Sequence, residues 1–226
     1  AGVKGAVYSL YRAKRGDETE DVLVEERLTT NAAGEIRVEG LKFGTYYFKE
    51  IMAAPGYVLT EGEETSEQVT LNAGTAGKTV DVTHSDHRKP GTLVLNKLEA
   101  GDAVHYLEGA VYELYGPDGT RVYVTKDEEQ DEDGGNVYHY SPTLSSDRLV
   151  TAGEYGAFRI DGLPWGTYKL KETEAPRGYV LPEEGTAKSF IVNARTAQQE
   201  IYLELTNERQ AGSARLVKAD AKNSEK

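Results

Sequence analysis

Cysteine is absent from the 226 residues. Its absence removes disulfides, thiolate metal sites and cysteine nucleophiles. Methionine and tryptophan occur once each and phenylalanine four times. Positive charge is scarce: 26 Lys and Arg stand against 38 Asp and Glu, a net charge of −12. That balance argues against nucleic acid or an anionic membrane surface as a partner. No apolar run approaches the roughly 20 residues of a membrane span, so no membrane insertion is expected. No signal peptide opens the chain, and Ala1 stands in mid-pattern, as in a piece of a longer protein.

What the chain does contain is tyrosine (15) and glycine (24), a pairing that suits solvated antiparallel sheets. Short alternating runs at Val7–Tyr11, Val22–Val24, Ile36–Val38, Tyr46–Lys49, Val69–Leu71 and Val80–Val82 are separated by Gly, Asn and Asp turn signals. Amphipathic helices longer than two turns are not evident. The pattern predicts an all-β protein of antiparallel β-sandwiches.

The chain repeats itself. GAVYSLY at Gly5–Tyr11 returns as GAVYELY at Gly109–Tyr115, an offset of 104. GTYYFKEIMAAPGYVL from Gly44 returns as GTYKLKETEAPRGYVL from Gly166, an offset of 122, so the second unit carries 18 extra residues between these landmarks. The acidic tract Asp127–Gly135 and the loop after it are expected to hold most of them. Beyond that, an offset of 121 pairs Asp86 with Asn207 and Lys97 with Lys218. A repeat of this kind means tandem domains: residues 1–88, residues 89–209 after a short linker at His87–Gly91, and a tail, 210–226, that repeats the opening strand of the second unit. The first unit lacks that lysine-bearing strand, so the pattern is permuted by one strand.

Period-two alternation assigns faces. Tyr168, Leu170 and Glu172 share one side of a strand, as do Tyr46, Phe48 and Glu50. Leu93, Leu95 and Lys97 share a side, and so do Leu203, Leu205 and Asn207. Lysine, acid and amide thus each end an apolar stripe. In the first unit the set is Glu50 and Asp86, the latter on the side of Val80, Val82 and His84; the tail offers Lys218, on the side of Ala214 and Leu216. The bland reading is a solvated lysine, a strand-end carboxylate and a turn asparagine. The reactive reading follows from desolvation, which lowers a lysine pKa and raises that of a carboxyl group. A neutral amine is a nucleophile, and a protonated glutamate can hydrogen-bond the amide oxygen and shuttle protons. Lys97 with Asn207 would release ammonia, and Lys218 with Asp86 would release water.

YKLKETEAPRGY resembles the E-box of Gram-positive pilins, and GAVYELY preceded by Lys97 resembles the opening of a CnaB-type (SpaA-like, prealbumin-like) domain. The resemblance covers nearly all of the second unit and most of the first. It implies CnaB-like sandwiches cross-linked by self-formed isopeptide bonds, with Lys97 and Lys218 as donors, Glu172 and Glu50 as catalysts, and Asn207 and Asp86 as acceptors. It also implies a cell-surface location in a Gram-positive bacterium, as the stalk of an adhesin or pilin. The first unit departs from the pattern in its missing lysine strand, its Asp86 acceptor and a proline shifted by one place (Pro55 against Pro176).

The expected partners are flanking repeats or another copy joined head to tail through the C-terminal strand. The rival function is a ligand-binding adhesin module that meets a host protein or glycan through its loops, the extra residues of the second unit being its best feature. A turnover enzyme is not expected, because a reactive trio of this type is consumed in one event. No cofactor is expected. His84 and His87, three apart on a strand, face opposite ways and so suggest no metal. The acidic run Asp127–Asp133 lacks the spacing of a calcium loop and is expected to be a solvated loop. Leu181–Gly185 (LPEEG) lacks the threonine of a sorting signal. Trp165 is expected in a turn packed on the sandwich edge.

Overall fold

A computed structural model describes residues 2–183 and 187–218. The Leu181–Gly185 stretch and the tail 210–226 run partly outside the described residues. The chain forms two β units in tandem, and no α-helix occurs among the described residues.

The second unit comprises β7 (Gly91–Glu99), β8 (Val111–Tyr115), β9 (Arg121–Gln130), β10 (Asn136–Ser141), β11 (Leu149–Val150), β12 (Ala157–Leu163), β13 (Gly166–Glu174), β14 (Lys188–Val192) and β15 (Glu200–Asn207); the first has β1 (Val7–Arg12), β2 (Val22–Thr29), β3 (Gly44–Met52), β4 (Tyr57–Val58), β5 (Val69–Leu71) and β6 (His87–Arg88). In the second unit the strand path is β14-β13-β8-β9-β10-β12-β7-β15, with β11 beside β8. The long β9 belongs to both leaves of the sandwich: its start pairs with β8 and the rest with β10. Most pairs are antiparallel, as expected; β10 with β12 and β7 with β15 are parallel. The inward stripes of the facing leaves meet as Leu93, Leu95, Tyr112, Leu114, Phe158, Ile160, Tyr168 and Leu170, each at most 2 % exposed. At about 1.5–3 kcal/mol per fully buried large apolar side chain, this core supplies the main stabilising term.

The first unit has one regular leaf, β2-β1-β3-β5. Its buried apolar cluster is small, Ala6, Tyr8 and Ala54 with Val3, Ile36, Phe48 and Tyr57 half-buried around it, and Leu10 and Tyr46 are buried outside that cluster. The strands expected at Ile36–Val38 and Val80–Val82 do not form. Their counterparts in the second unit are β12 and β15, and both pair with β7. The first unit contains no counterpart of β7, so these two segments have no ladder to join; backbone groups adopt strand geometry only where a neighbour accepts their hydrogen bonds. Their alternation survives: Ile36, Val38, Val80, Val82, His84 and Asp86 are half-buried while the residues between them are exposed.

The extra residues of the second unit sit close to where the repeat places them. The last part of β2 pairs Tyr8 with Leu28, as β11 pairs Tyr112 with Leu149, and the first part pairs Tyr11 with Leu23, as β9 pairs Tyr115 with Arg121. One strand of the first unit therefore corresponds to two in the second. The splice falls at a register shift in β2, where Arg27 takes a φ of 59°. The spliced residues build the rest of β9 and the whole of β10. The acidic tract is thus not simply a loop: Asp127–Gln130 end β9 with their side chains in solvent, and Asp131 caps the turn by accepting backbone N–H groups from Asp133 and Gly135.

The linker is ordered. His87–Arg88 pair with Tyr57–Val58 as a two-stranded ribbon. Trp165 packs as a turn residue against the edge of the second unit's core, as expected, and it also meets the linker and the first unit. Its indole N–H donates to the Lys89 carbonyl at 2.9 Å, its ring meets Tyr57 edge-on at 5.4 Å, and the Arg88 guanidinium lies 4.8 Å from its centroid. Gly56, with φ 84°, permits the approach, because a Cβ there would lie 2.4 Å from the Ala194 Cα.

Candidate functional site

Two carboxylate-centred clusters occupy corresponding places in the two units. In the second unit β7 and β13 lie on opposite leaves, and alternation directs Lys97 and Glu172 toward each other across the interior. Lys97 Nζ donates to Glu172 Oε2 at 2.7 Å, with side-chain exposures of 1 % and 6 %. The Tyr112 hydroxyl, on the strand beside β13, donates to the same oxygen at 3.2 Å. Asn207, the last residue of β15, donates from Nδ2 to Glu172 Oε1 at 2.9 Å and to the Val180 carbonyl at 2.8 Å. Its own Oδ1 is buried without a partner. One carboxylate therefore bridges the lysine and the asparagine in the buried interior. Burial lowers the Lys97 pKa, opposed by Glu172, and raises that of Tyr112.

The three residues expected in this cluster meet. Glu172 accepts from the amide nitrogen of Asn207 here, whereas the reactive reading uses a protonated glutamate on the amide oxygen. The Val180 carbonyl fixes that orientation, since only an N–H can face a carbonyl. Tyr112 and Val180 were not foreseen as participants. Tyr112 was in principle legible, because alternation in GAVYELY puts it on the inner face; the Val180 carbonyl is a backbone group that follows no side-chain pattern.

In the first unit Glu50 lies on β3 opposite Tyr8 and is 1 % exposed. Neither of its carboxylate oxygens has a hydrogen-bond partner. Burial, reinforced by the neighbouring Asp86 carboxylate, pushes its pKa up to about 8. Glu50, His84 and Asp86 gather with one ligand atom each, all within 4.8 Å of one another. His84 Nδ1 shares a hydrogen bond with the Tyr8 hydroxyl at 2.9 Å and lies 3.9 Å from Glu50 Oε2; its Nε2 is 2.7 Å from the Glu63 carbonyl. Glu50 and Asp86 come together as expected, but Lys218 does not join them. It is exposed, in a tail segment that carries no strand among its described residues. His84, expected only as a face-mate of Asp86, is part of the cluster, whereas His87 turns outward in β6.

The family model of the SpaA prealbumin-like fold domain matches residues 1–88 and again 91–209. The chain belongs to this family. Both copies of the SpaA-like domain are thereby accounted for, including the one whose second leaf is irregular. Among solved structures the chain is similar to the Bacillus anthracis TIE protein (24 % identity, TM-score 0.47), with 92 % of this chain and 31 % of that one covered. The chain thus spans under a third of the TIE protein's length. It is also similar to GBS52, the minor pilin of the Gram-positive pathogen Streptococcus agalactiae (19 % identity, TM-score 0.41, 96 % and 88 % covered). A further likeness is to the shaft pilin SpaA from Lactobacillus rhamnosus GG (17 % identity, TM-score 0.40, 94 % and 90 % covered). No curated protein matches the chain.

Proposed function

We propose that this chain is a stalk segment of a Gram-positive cell-surface adhesin or pilin, in which the second SpaA-like unit cross-links itself through Lys97 and Asn207. The observation that carries the reading is the buried Glu172 carboxylate contacted by Lys97 Nζ on one oxygen and by Asn207 Nδ2 on the other. In the reaction, neutral Nζ adds to the Asn207 side-chain carbonyl carbon. Glu172 takes the amine proton and returns one to Nδ2. The Nζ–Cγ bond forms, the Cγ–Nδ2 bond breaks, and ammonia leaves. Contact between Glu172 and the amide nitrogen suits the second proton transfer, and the proximity of the groups replaces an external catalyst.

The bond would join β7 and β15, parallel neighbours that open and close the unit. Load entering along β7 would leave at Asn207 without shearing the ladders between them, which slows unfolding and proteolysis. Intact mass under denaturing conditions tests this: the expected value is the sequence mass less one ammonia, with no such deficit from its own sequence mass in Glu172→Ala. The unmodified mass in the parent chain would remove the reading.

The first unit supports a further step of the same proposal. Its β12- and β15-like segments keep inward faces without a strand between them, and the tail repeats the strand type of β7. Insertion of that tail into another copy, with Lys218 bonding to Asp86 beside Glu50 and releasing water, would extend the chain head to tail. A ladder on a denaturing gel is expected, and its loss in Lys218→Ala; monomers alone would refute this step without touching the first.

A further inference from the structure

The Glu50 cluster has a composition that its counterpart in the second unit lacks. Where Glu172 is met by lysine, tyrosine and amide donors, Glu50 is met by a second carboxylate and an imidazole. A carboxylate with both oxygens buried and unpartnered requires a cation, a proton or a donor. We propose that the first unit binds a divalent first-row transition ion through Glu50, His84 Nδ1 and Asp86.

The imidazole is oriented for this. Its Nε2 lies 2.7 Å from the Glu63 carbonyl, which can only accept, so Nε2 carries the proton and donates it. In the neutral imidazole the Nδ1 lone pair is then directed into the cluster, 3.9 Å from Glu50 Oε2. A ring N–H tied to a backbone carbonyl while the other nitrogen faces carboxylates is the usual outer-shell arrangement of a metal-bound histidine. The Tyr8 hydroxyl uses the Nδ1 lone pair at 2.9 Å and would yield it to the ion. Ligands about 2.0–2.2 Å from a tetrahedral zinc lie about 3.4 Å apart, so the three groups, all within 4.8 Å of one another, need only a small inward movement. One imidazole with two carboxylates suits Zn²⁺ and its first-row neighbours; Mg²⁺ and Ca²⁺ favour oxygen alone. The ion would neutralise the two adjacent carboxylates and tie β3 to the irregular segment 79–86, a link that strand pairing does not supply there. The pairing of His84 with His87 does not enter.

This inference does not rest on bond formation in either unit; it applies to a first unit whose Asp86 carboxylate is free, since a Lys218–Asp86 amide would remove one of the three ligands. The test is calorimetric titration of the chelator-treated full chain with ZnCl₂, followed by thermal unfolding. One saturable equivalent and a zinc-dependent rise in the first unit's melting temperature are expected. His84→Ala should weaken binding at least tenfold, and the exposed His87→Ala should leave it unchanged. With Co²⁺ in place of zinc, visible absorption bands that disappear in Asp86→Asn provide a second readout should His84→Ala fold poorly. Absence of a saturable equivalent, or an equivalent retained in both His84→Ala and Asp86→Asn, overturns the proposal. Either result leaves the mass of the Lys97–Asn207 unit unchanged, so the two readings fail separately.

Discussion

The two units share a family and much of a sequence pattern, yet one is a closed sandwich and the other a single regular leaf. The second unit has β7, and with it β12 and β15 pair and Leu93, Leu95, Phe158 and Ile160 are sealed at 0 % exposure. In the first unit the residues aligned with Phe158 and Ile160 are Ile36 and Val38, and they remain half-buried. One strand at the centre of a leaf therefore organises two neighbours and the chemistry between them. It brings the lysine that contacts Glu172; without it Glu50 faces Asp86 and His84.

The comparison can be broken most forcefully by supplying the strand. Fusing a copy of residues 91–104 ahead of Ala1 should convert 35–41 and 79–86 into paired strands. Amide exchange at these segments should slow by orders of magnitude, and unchanged exchange would show that more than β7 is missing. Next in size is the buried contact of the second unit. Lys97→Ala leaves the buried Glu172 carboxyl without its Lys97 partner and should cost about 3–5 kcal/mol. It also removes the cross-link, and a melting temperature unchanged from the parent would contradict both. The same lysine change should leave the melting of the first unit in place.

A smaller, pH-dependent effect distinguishes the units. Glu50 is raised in the folded state from 4.5 to about 8. A raised acid binds its proton more tightly when folded, so its contribution is complete below pH 4.5 and is lost as pH rises through about 8. In metal-free buffer the first unit should lose stability over that window, and Glu50→Gln should flatten the curve. A rise in stability with pH would reverse the assignment. The smallest expected effect is at the junction. Trp165→Ala removes the indole bond to Lys89 and the contacts with Tyr57 and Arg88. Proteolysis at the linker should quicken severalfold, with at most a small fall in the second unit's melting temperature, because Trp165 also packs on that unit's core.

The tandem repeat, the all-β class and the inward faces were legible because period-two alternation is a local property of the backbone. It placed Lys97, Glu172 and Asn207 at the ends of apolar stripes, and it identified Val80, Val82, His84 and Asp86 as face-mates even though no strand forms there. Alternation does not reveal whether a strand has a neighbour, and for that reason Ile36–Val38 and Val80–Val82 were expected as strands. The acidic tract read as a loop because charge marks solvent exposure, which the outer end of β9 shares.

The sequence by itself determined the two units, their shared pattern and which side chains turn inward, since these depend on residues close along the chain. Only the tertiary structure decided which carboxylate meets a lysine and which meets a histidine, and which way the Asn207 amide faces. It also decided that Trp165 rests on the linker. Ladder bonds and buried electrostatic contacts are made by residues far apart in sequence, and a single absent strand changes all of them together.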